Sequence, residues 1–311
     1  MTRDLCNIGL TFGLLLGGAA VAVGAEPIPG IGPAAAIEKL QGGFMFTEGP
    51  AADLKGNLYF SDVAGNKLYH VNIRKELSVL LDPSNHTNGL MVNAAGNVVA
   101  CEMDGRIVEV DVMTKKVKPL AEGYEGKRFN APNDLVIDST GGIYFTDPHF
   151  RAPMPLPQGV TAFYYRDVAG KVTRLAEVPK APNGVILSPD EKTLYVIPSM
   201  QAEMLAYAVQ APGRIGPEKV FCTLQQAEGQ QNGGGDGLTV DSKGNLYITS
   251  KLGIQVFNPE GKLLGIIELP EQPANCAFGG MNNRTLYVTA RTSVYAVPME
   301  SAGHVFPAGK Q

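Results

Sequence analysis

The chain has 311 residues, 44% of them hydrophobic and 18% charged, with a formal net charge of −4. That apolar share supports a sizeable core and excludes a disordered chain, while the mild acidity speaks against a general nucleic-acid binder, which carries a basic stripe. The 37 glycines follow no strict period, which excludes collagen and implies many turns.

In chain order, residues 1–25 read as an export signal. Arg3 lies in a short polar start, an apolar stretch runs from Ile8 to Val23, and the small residues Val23 and Ala25 precede a cut ahead of Glu26. The stretch is short and glycine-rich, so it would span a bilayer poorly. Cys6 precedes it, which does not fit a lipoprotein signal. The mature chain is therefore expected in the periplasm or outside the cell, with no stable membrane span. Pro27, Pro29 and Pro33 make a stiff lead-in. Ala34 to Leu40 is then expected as a strand that closes the fold against the last part of the chain.

A motif recurs through the rest: a polar turn, then a β-branched or aromatic run. Gly56-Asn57-Leu58-Tyr59-Phe60 is the first copy and Arg284-Thr285-Leu286-Tyr287-Val288 the last. The aligned residues fall at 59, 99, 144, 195, 247 and 287, at intervals of 40, 45, 51, 52 and 40. Each copy reads as a hairpin, usually followed by a third strand such as Lys67 to Val71 or Arg106 to Val110. Six repeats of this length imply an all-β, six-bladed β-propeller. The expected organisation is one propeller domain over 26–311, with blades beginning near 48, 88, 133, 183, 236 and 275.

Eleven or twelve residues before each aligned position stands Glu48, Asn88, Asn133, Asn183, Asp236 or Asn275, and four of the six precede a glycine. In a propeller each would open the innermost strand of its blade, so all six would converge at one mouth of the central channel. Glu48 and Asp236 supply negative charge; Asn133 and Asn183 supply neutral oxygens. An oxygen-only set suits calcium or another hard divalent cation in the channel. The alternative is that these Asn-Gly and Asp-Gly pairs are turns whose side chains cap backbone groups, and it weighs most on Asn88 and Asn275. There is no CxxC and there are only four histidines, which disfavours a His/Cys zinc site. Cys101, Cys222 and Cys276 allow one disulfide or three buried thiols.

Thr47-Glu48-Gly49-Pro50, Leu58 to Asp62, Arg128 to Leu135, Ile143 to Pro148, Ala181-Pro182-Asn183-Gly184 and Asp236-Gly237-Leu238 occur in register, and together they resemble the SMP-30/gluconolactonase family. The resemblance implies a six-bladed propeller holding a divalent metal, often calcium, with Glu48, Asn133, Asn183 and Asp236 as its ligands; zinc, manganese and magnesium are alternatives. It also implies hydrolysis of a small lactone, such as the sugar lactone gluconolactone. Asp236 is then expected to serve as ligand and general base. Arg128 would stabilise developing oxyanion charge, and Asn88, Arg128, Asn130, Asp147 and His149 would contact substrate. Against these stand a solvated loop role for Arg128, turn capping for Asp147 and a plain loop role for His149. A proline-rich insert at 150–159 is expected on the substrate rim, and glycines at 229–235 would bring the chain close to the ligand cluster. The competing functions are organophosphate or other ester hydrolysis, a non-catalytic binding propeller, and a lyase of the strictosidine-synthase type.

Overall fold

The computed structural model describes residues 27–307, so the expected export signal at 1–25 lies outside the described residues. Six four-stranded antiparallel sheets follow one another in the chain. After β1 (Glu38–Gly42), blade 1 comprises β2 (Thr47–Ala52), β3 (Leu58–Asp62), β4 (Lys67–Val71) and β5 (Leu77–Leu81). Blade 2 comprises β6 (Thr87–Val92), β7 (Val98–Glu102), β8 (Arg106–Val110) and β9 (Val117–Ala121). Blade 3 holds β10 (Leu135–Ile137), β11 (Ile143–Asp147), β12 (Ala162–Arg166) and β13 (Val172–Glu177). Blade 4 holds β14 (Pro182–Leu187), β15 (Thr193–Pro198), β16 (Glu203–Ala211) and β17 (Arg214–Thr223). Blade 5 holds β18 (Leu238–Val240), β19 (Leu246–Ser250), β20 (Gly253–Phe257) and β21 (Leu263–Ile267). Blade 6 is β22 (Pro273–Gly279), β23 (Thr285–Ala290) and β24 (Ser293–Pro298), completed by β1. The molecule is a six-bladed β-propeller.

The closing strand lies four residues further along than expected, at 38–42, and pairs antiparallel with β24. The prolines of the lead-in stay outside the ladder, where a missing N–H costs nothing. Closure covers the outer edge of β24.

Burial grades across each blade. The second strands β3, β7, β11 and β19 are buried at every residue, whereas β5 and β9 expose their first three. Strands covered on both faces read as continuous apolar runs, which is why the Leu-Tyr-Phe and Ile-Tyr-Phe segments are the most visible repeats. Their hydroxyls join neighbouring blades: Ser61 Oγ donates to the Asn88 carbonyl at 2.9 Å, Thr146 Oγ1 to that of Asn183 at 2.6 Å, and Thr249 Oγ1 to that of Ala274 at 2.7 Å. The same motif position in blades 1, 3 and 5 thus ties each second strand to the inner strand of the next blade. Cys101, Cys222 and Cys276 are free and buried, so none of these three is paired. Among the described residues no helix is long and apolar enough to cross a membrane.

Candidate active site at the channel mouth

The inner strands all enter the channel from the same end, four of them through an irregularity. The β2–β3 register slips between Glu48 and Ala51, β6–β7 between Thr87 and Leu90, β14–β15 between Pro182 and Val185, and β22–β23 between Pro273 and Asn275. A bulge re-aims a side chain out of the strand's alternation. In blades 3 and 5 the regular ladder begins two residues later, at Leu135 and Leu238, so Asn133 and Asp236 stand just ahead of it.

Glycine follows the polar residue in four blades because neighbouring strands leave no room for a side chain. A Cβ on Gly49 would lie 2.0 Å from the Asn88 carbonyl oxygen, and one on Gly184 would lie 2.7 Å from that of Asp236. Gly89 N–H donates to the Asn133 carbonyl at 2.7 Å and Gly184 N–H to that of Asp236 at 2.9 Å. Gly234 makes a similar approach to blade 4, where a Cβ would meet the Pro198 carbonyl oxygen at 2.1 Å. The glycine-rich loop therefore passes tightly beside the end of β15, the strand paired with the one that carries Asn183.

Glu48, Asn88, Asn133 and Asn275 are buried, each no more than 6% exposed, while Asp236 keeps a partly open edge. Asn183 Nδ2 donates to Asp236 Oδ1 at 2.6 Å and to Ser199 Oγ at 2.9 Å. Burial, then the charge of Asp236, pushes the Glu48 carboxyl well above the ordinary range, against the pull of the Gly49 N–H and the Asn275 amide. Burial likewise raises Asp236, opposed by the Asn183 hydrogen bond and the positive charge of Arg291. Among the described residues no lysine, arginine or histidine forms an ion pair with either carboxylate. Two buried acids close together with no ion-pair partner cannot both ionise cheaply.

That imbalance is what a bound cation would correct. Asn133's amide makes no hydrogen bond to protein among the described residues, and a half-turn of the Asn183 amide exchanges its nitrogen for its oxygen at the same point. Among the described residues no three His, Cys, Asp and Glu side chains cluster as a metal site. The mouth has two carboxylates and draws its further oxygens from amides, so its chemistry fits a hard cation and not a thiolate-preferring one.

The other expected residues divide by burial. Asn130 is fully buried: its Nδ2 donates to the Asp147 and Val160 carbonyls at 3.2 and 2.8 Å, and its Oδ1 accepts the Gln158 N–H at 3.0 Å. Asp147 is also fully buried and accepts the N–H groups of Asn130 and Ala131 at 2.9 and 2.8 Å. Burial pushes its pKa up to about 7, opposed by those two donors. Both residues are occupied in shaping the loop before Asn133. Asp62 does the same in blade 1, accepting the N–H groups of Met45 and Phe46 at 3.1 and 2.9 Å ahead of Glu48. Arg128 is exposed but folds back, donating from Nε to the Phe129 carbonyl at 3.0 Å and from Nη2 to that of Asn130 at 3.1 Å. His149 is exposed on the long loop beside Phe150. Asn88 alone of the substrate candidates is buried with a free acceptor: its Oδ1 has no partner.

Several contributors carry no motif. Asp134 lies where four other blades have glycine; burial pushes it up to about 7, against hydrogen bonds from Leu135, Val185 and Asn275. Gln158, in the proline-rich insert, donates to the carbonyls of Tyr124, Lys127 and Arg128 and so ties that insert to the Asn133 loop. Below the ring of polar residues the channel opens into a cavity of about 320 Å³, with Asp134 and Asn275 at its inner end and Leu90, Leu135, Val185 and Leu238 among its walls.

Comparison with known proteins shows the family and the fold. The family model described as SMP-30/Gluconolactonase/LRE-like region matches residues 46–292. A gluconolactonase of Zymomonas mobilis is 30% identical over 293 residues, covering 86% of this chain and 82% of its own. The solved structure of a gluconolactonase from Xanthomonas campestris superposes with a TM-score of 0.78 at 31% identity, over 85% of this chain and 90% of that one. A calcium-binding regucalcin from Agrobacterium tumefaciens shares the fold, with a TM-score of 0.74 at 21% identity over 86% and 95% of the two chains. With the repeat, the inner-strand residues and the family match all covering the same span, the chain belongs to the SMP-30/gluconolactonase/LRE-like family.

Proposed function

We propose that the protein hydrolyses a lactone, a sugar lactone such as gluconolactone, with a divalent cation held at the channel mouth by Glu48, Asn133, Asn183 and Asp236. The observation that carries this reading is the meeting of two unneutralised acids with amides from other blades, in a chain similar over most of its length to a gluconolactonase. Calcium is the first choice among cations for an oxygen-only set. When bound, such a cation polarises the lactone carbonyl and acidifies water.

The protein's own groups complete the chemistry. Asp236 takes the proton of the attacking water as general base. The water oxygen joins the acyl carbon, the ring C–O bond breaks, and the proton passes to the departing ring oxygen, leaving a hydroxy acid. Asn88 Oδ1 is free to accept a hydroxyl of the substrate, and the unused Nη1 of Arg128 faces the same task for developing negative charge. Asp147 and Asn130 position the loop that presents Asn133.

The test is turnover of a lactone panel with calcium, manganese or zinc, repeated after chelation, with phosphoesters and simple esters alongside. Cation-dependent lactone turnover that disappears in Asp236→Ala is the expected result. Turnover indifferent to chelation, or an active Asp236→Ala protein, would overturn the site. Faster turnover of phosphoesters would move the reading to organophosphate hydrolysis. The export reading, with the mature chain in the periplasm or outside the cell, is checked by N-terminal sequencing, which should begin at Glu26.

A further inference from the structure

The turn between β23 and β24 brings a cation to the mouth that no repeat announces. The Arg291 carbonyl accepts the N–H of Thr47 at 2.8 Å, and Thr47 immediately precedes Glu48. The backbone at Arg291 is left-handed, with φ +47°. The side chain is exposed, its guanidinium carbon lies 5.5 Å from the centroid of the Phe46 ring, and its charge acts on the Asp236 carboxyl. Among the described residues, none of its side-chain N–H groups bonds to protein and no carboxylate pairs with it.

The surroundings explain both the position and the missing partner. Glu271, from the loop before β22, accepts the Thr292 N–H and hydroxyl at 2.9 Å each, the Tyr295 hydroxyl at 2.9 Å, and the Ser293 hydroxyl. That carboxylate is spent on the turn itself. The Phe46 platform is fixed in its own way, since its N–H is held by Asp62 at 2.9 Å. Arg291 is therefore a planar five-donor group, stacked on an aromatic, standing outside the buried ligand residues with its donors unused. Arg128, by contrast, has turned Nε and Nη2 onto its own loop. A cation set outward from the reacting carbonyl is suited to a substituent of the substrate and not to the oxyanion.

We propose that Arg291 recognises an anionic substituent of the substrate, so that the site prefers lactones bearing a carboxylate over neutral lactones of the same ring. This rests on the lactone-hydrolase reading and narrows it to acidic sugar lactones. A guanidinium matches a carboxylate with two parallel N–H···O bonds, and the neutral analogue forfeits both.

The test compares calcium-loaded wild-type protein with Arg291→Asn, a residue that tolerates positive φ, and with Arg291→Lys. Substrates are an aldarolactone carrying a free carboxylate and the matching neutral aldonolactone. Wild type should favour the aldarolactone, and Arg291→Asn should lose about 10- to 100-fold in kcat/KM on it while changing about 3-fold or less on the neutral one. Arg291→Lys, which keeps the charge without the fork, should fall between and serves if the Asn variant does not fold. Equal losses on both substrates, or no wild-type preference, would overturn the proposal. Should wild type hydrolyse neither lactone, the hydrolase reading fails separately. Calorimetric titration with an aldarate dianion then decides: binding lost in Arg291→Asn upholds the anion site, and unchanged binding sinks it.

Discussion

The two ends of the propeller use the same residue types to opposite effect. At the end away from the mouth, the inner strands of blades 1, 2, 3 and 5 turn back through a short loop whose acid or amide serves its own backbone. Asp53 Oδ1 accepts the N–H groups of Lys55 and Asn57, Asn93 Oδ1 those of Ala95 and Asn97, Asp138 Oδ1 those of Thr140 and Gly142, and Asp241 Oδ1 those of Lys243 and Asn245, all within 2.8–3.0 Å. At the mouth, Glu48 and Asp236 repel each other, Asn88 keeps a bare acceptor, and Asn183 reaches another blade. An Asp or Asn satisfied within four residues builds the turn. One left in want of a partner from elsewhere in the chain marks a place where something binds.

The sharpest way to break that contrast is at Asp236. Asp236→Asn should lower kcat by about 10²- to 10⁴-fold, the range of a lost general base. Thermal unfolding of the cation-free protein should not suffer, because one member of a repelling buried pair has been neutralised. At the other end, Asp241→Ala strips partners from two backbone N–H groups, the Asn245 amide and the Tyr247 hydroxyl. It should cost about 2–4 kcal/mol in a denaturant titration, with kcat per folded molecule unchanged.

Asp147→Asn lies between the two behaviours, being a backbone-gripping acid at the functional end. It should reduce kcat/KM by about 10-fold, through the Asn133 loop, with a smaller change in stability. The smallest effect concerns Glu271. Its hydrogen bonds from Ser293, Thr292 and Tyr295 outweigh the opposing effect of burial and bring it down to about 2 from an ordinary 4.5. A depressed acid stabilises the fold above its unfolded pKa, and that contribution is lost as pH falls through 4.5 towards 2. Glu271→Gln should flatten this part of the melting temperature against pH profile, lowering the melting temperature above pH 6 without changing its slope there.

How much of this was legible in the chain depends on whether a residue repeats. Tyr59, Tyr144 and Tyr247 sit in strands buried on both faces, so their apolar runs recur and give the blade count directly. Glu48 and Asp236 were visible because they share an offset from those runs. The same signal could not separate Asn130 and Asp147 from substrate contacts, since both lie beside Asn133 in sequence and only the folded loop reveals that their polar atoms are occupied. Asp134 showed itself only as a missing glycine. Gln158, Glu271 and Arg291 are single residues in unlike loops, and their partners are set by tertiary contacts that no local spacing encodes. The closing strand was placed a few residues early because an Ala-rich stretch and its neighbour differ little in strand preference; pairing with Val294 and Tyr295 decides between them.

That strand also sets the order in which the molecule can be made. Gln41 pairs with Val294, so the seam joins almost the two ends of the chain and cannot form until blade 6 exists. Contacts of such high sequence separation are slow to nucleate. A nascent chain would hold finished inner blades as an open arc, with Glu48 and Asp236 not yet facing each other. Cation affinity should thus appear late in refolding, together with the last increment of protection at β24, and a circular permutant joining residues 27 and 307 with new ends in an exposed bottom turn should move that late step to a different blade.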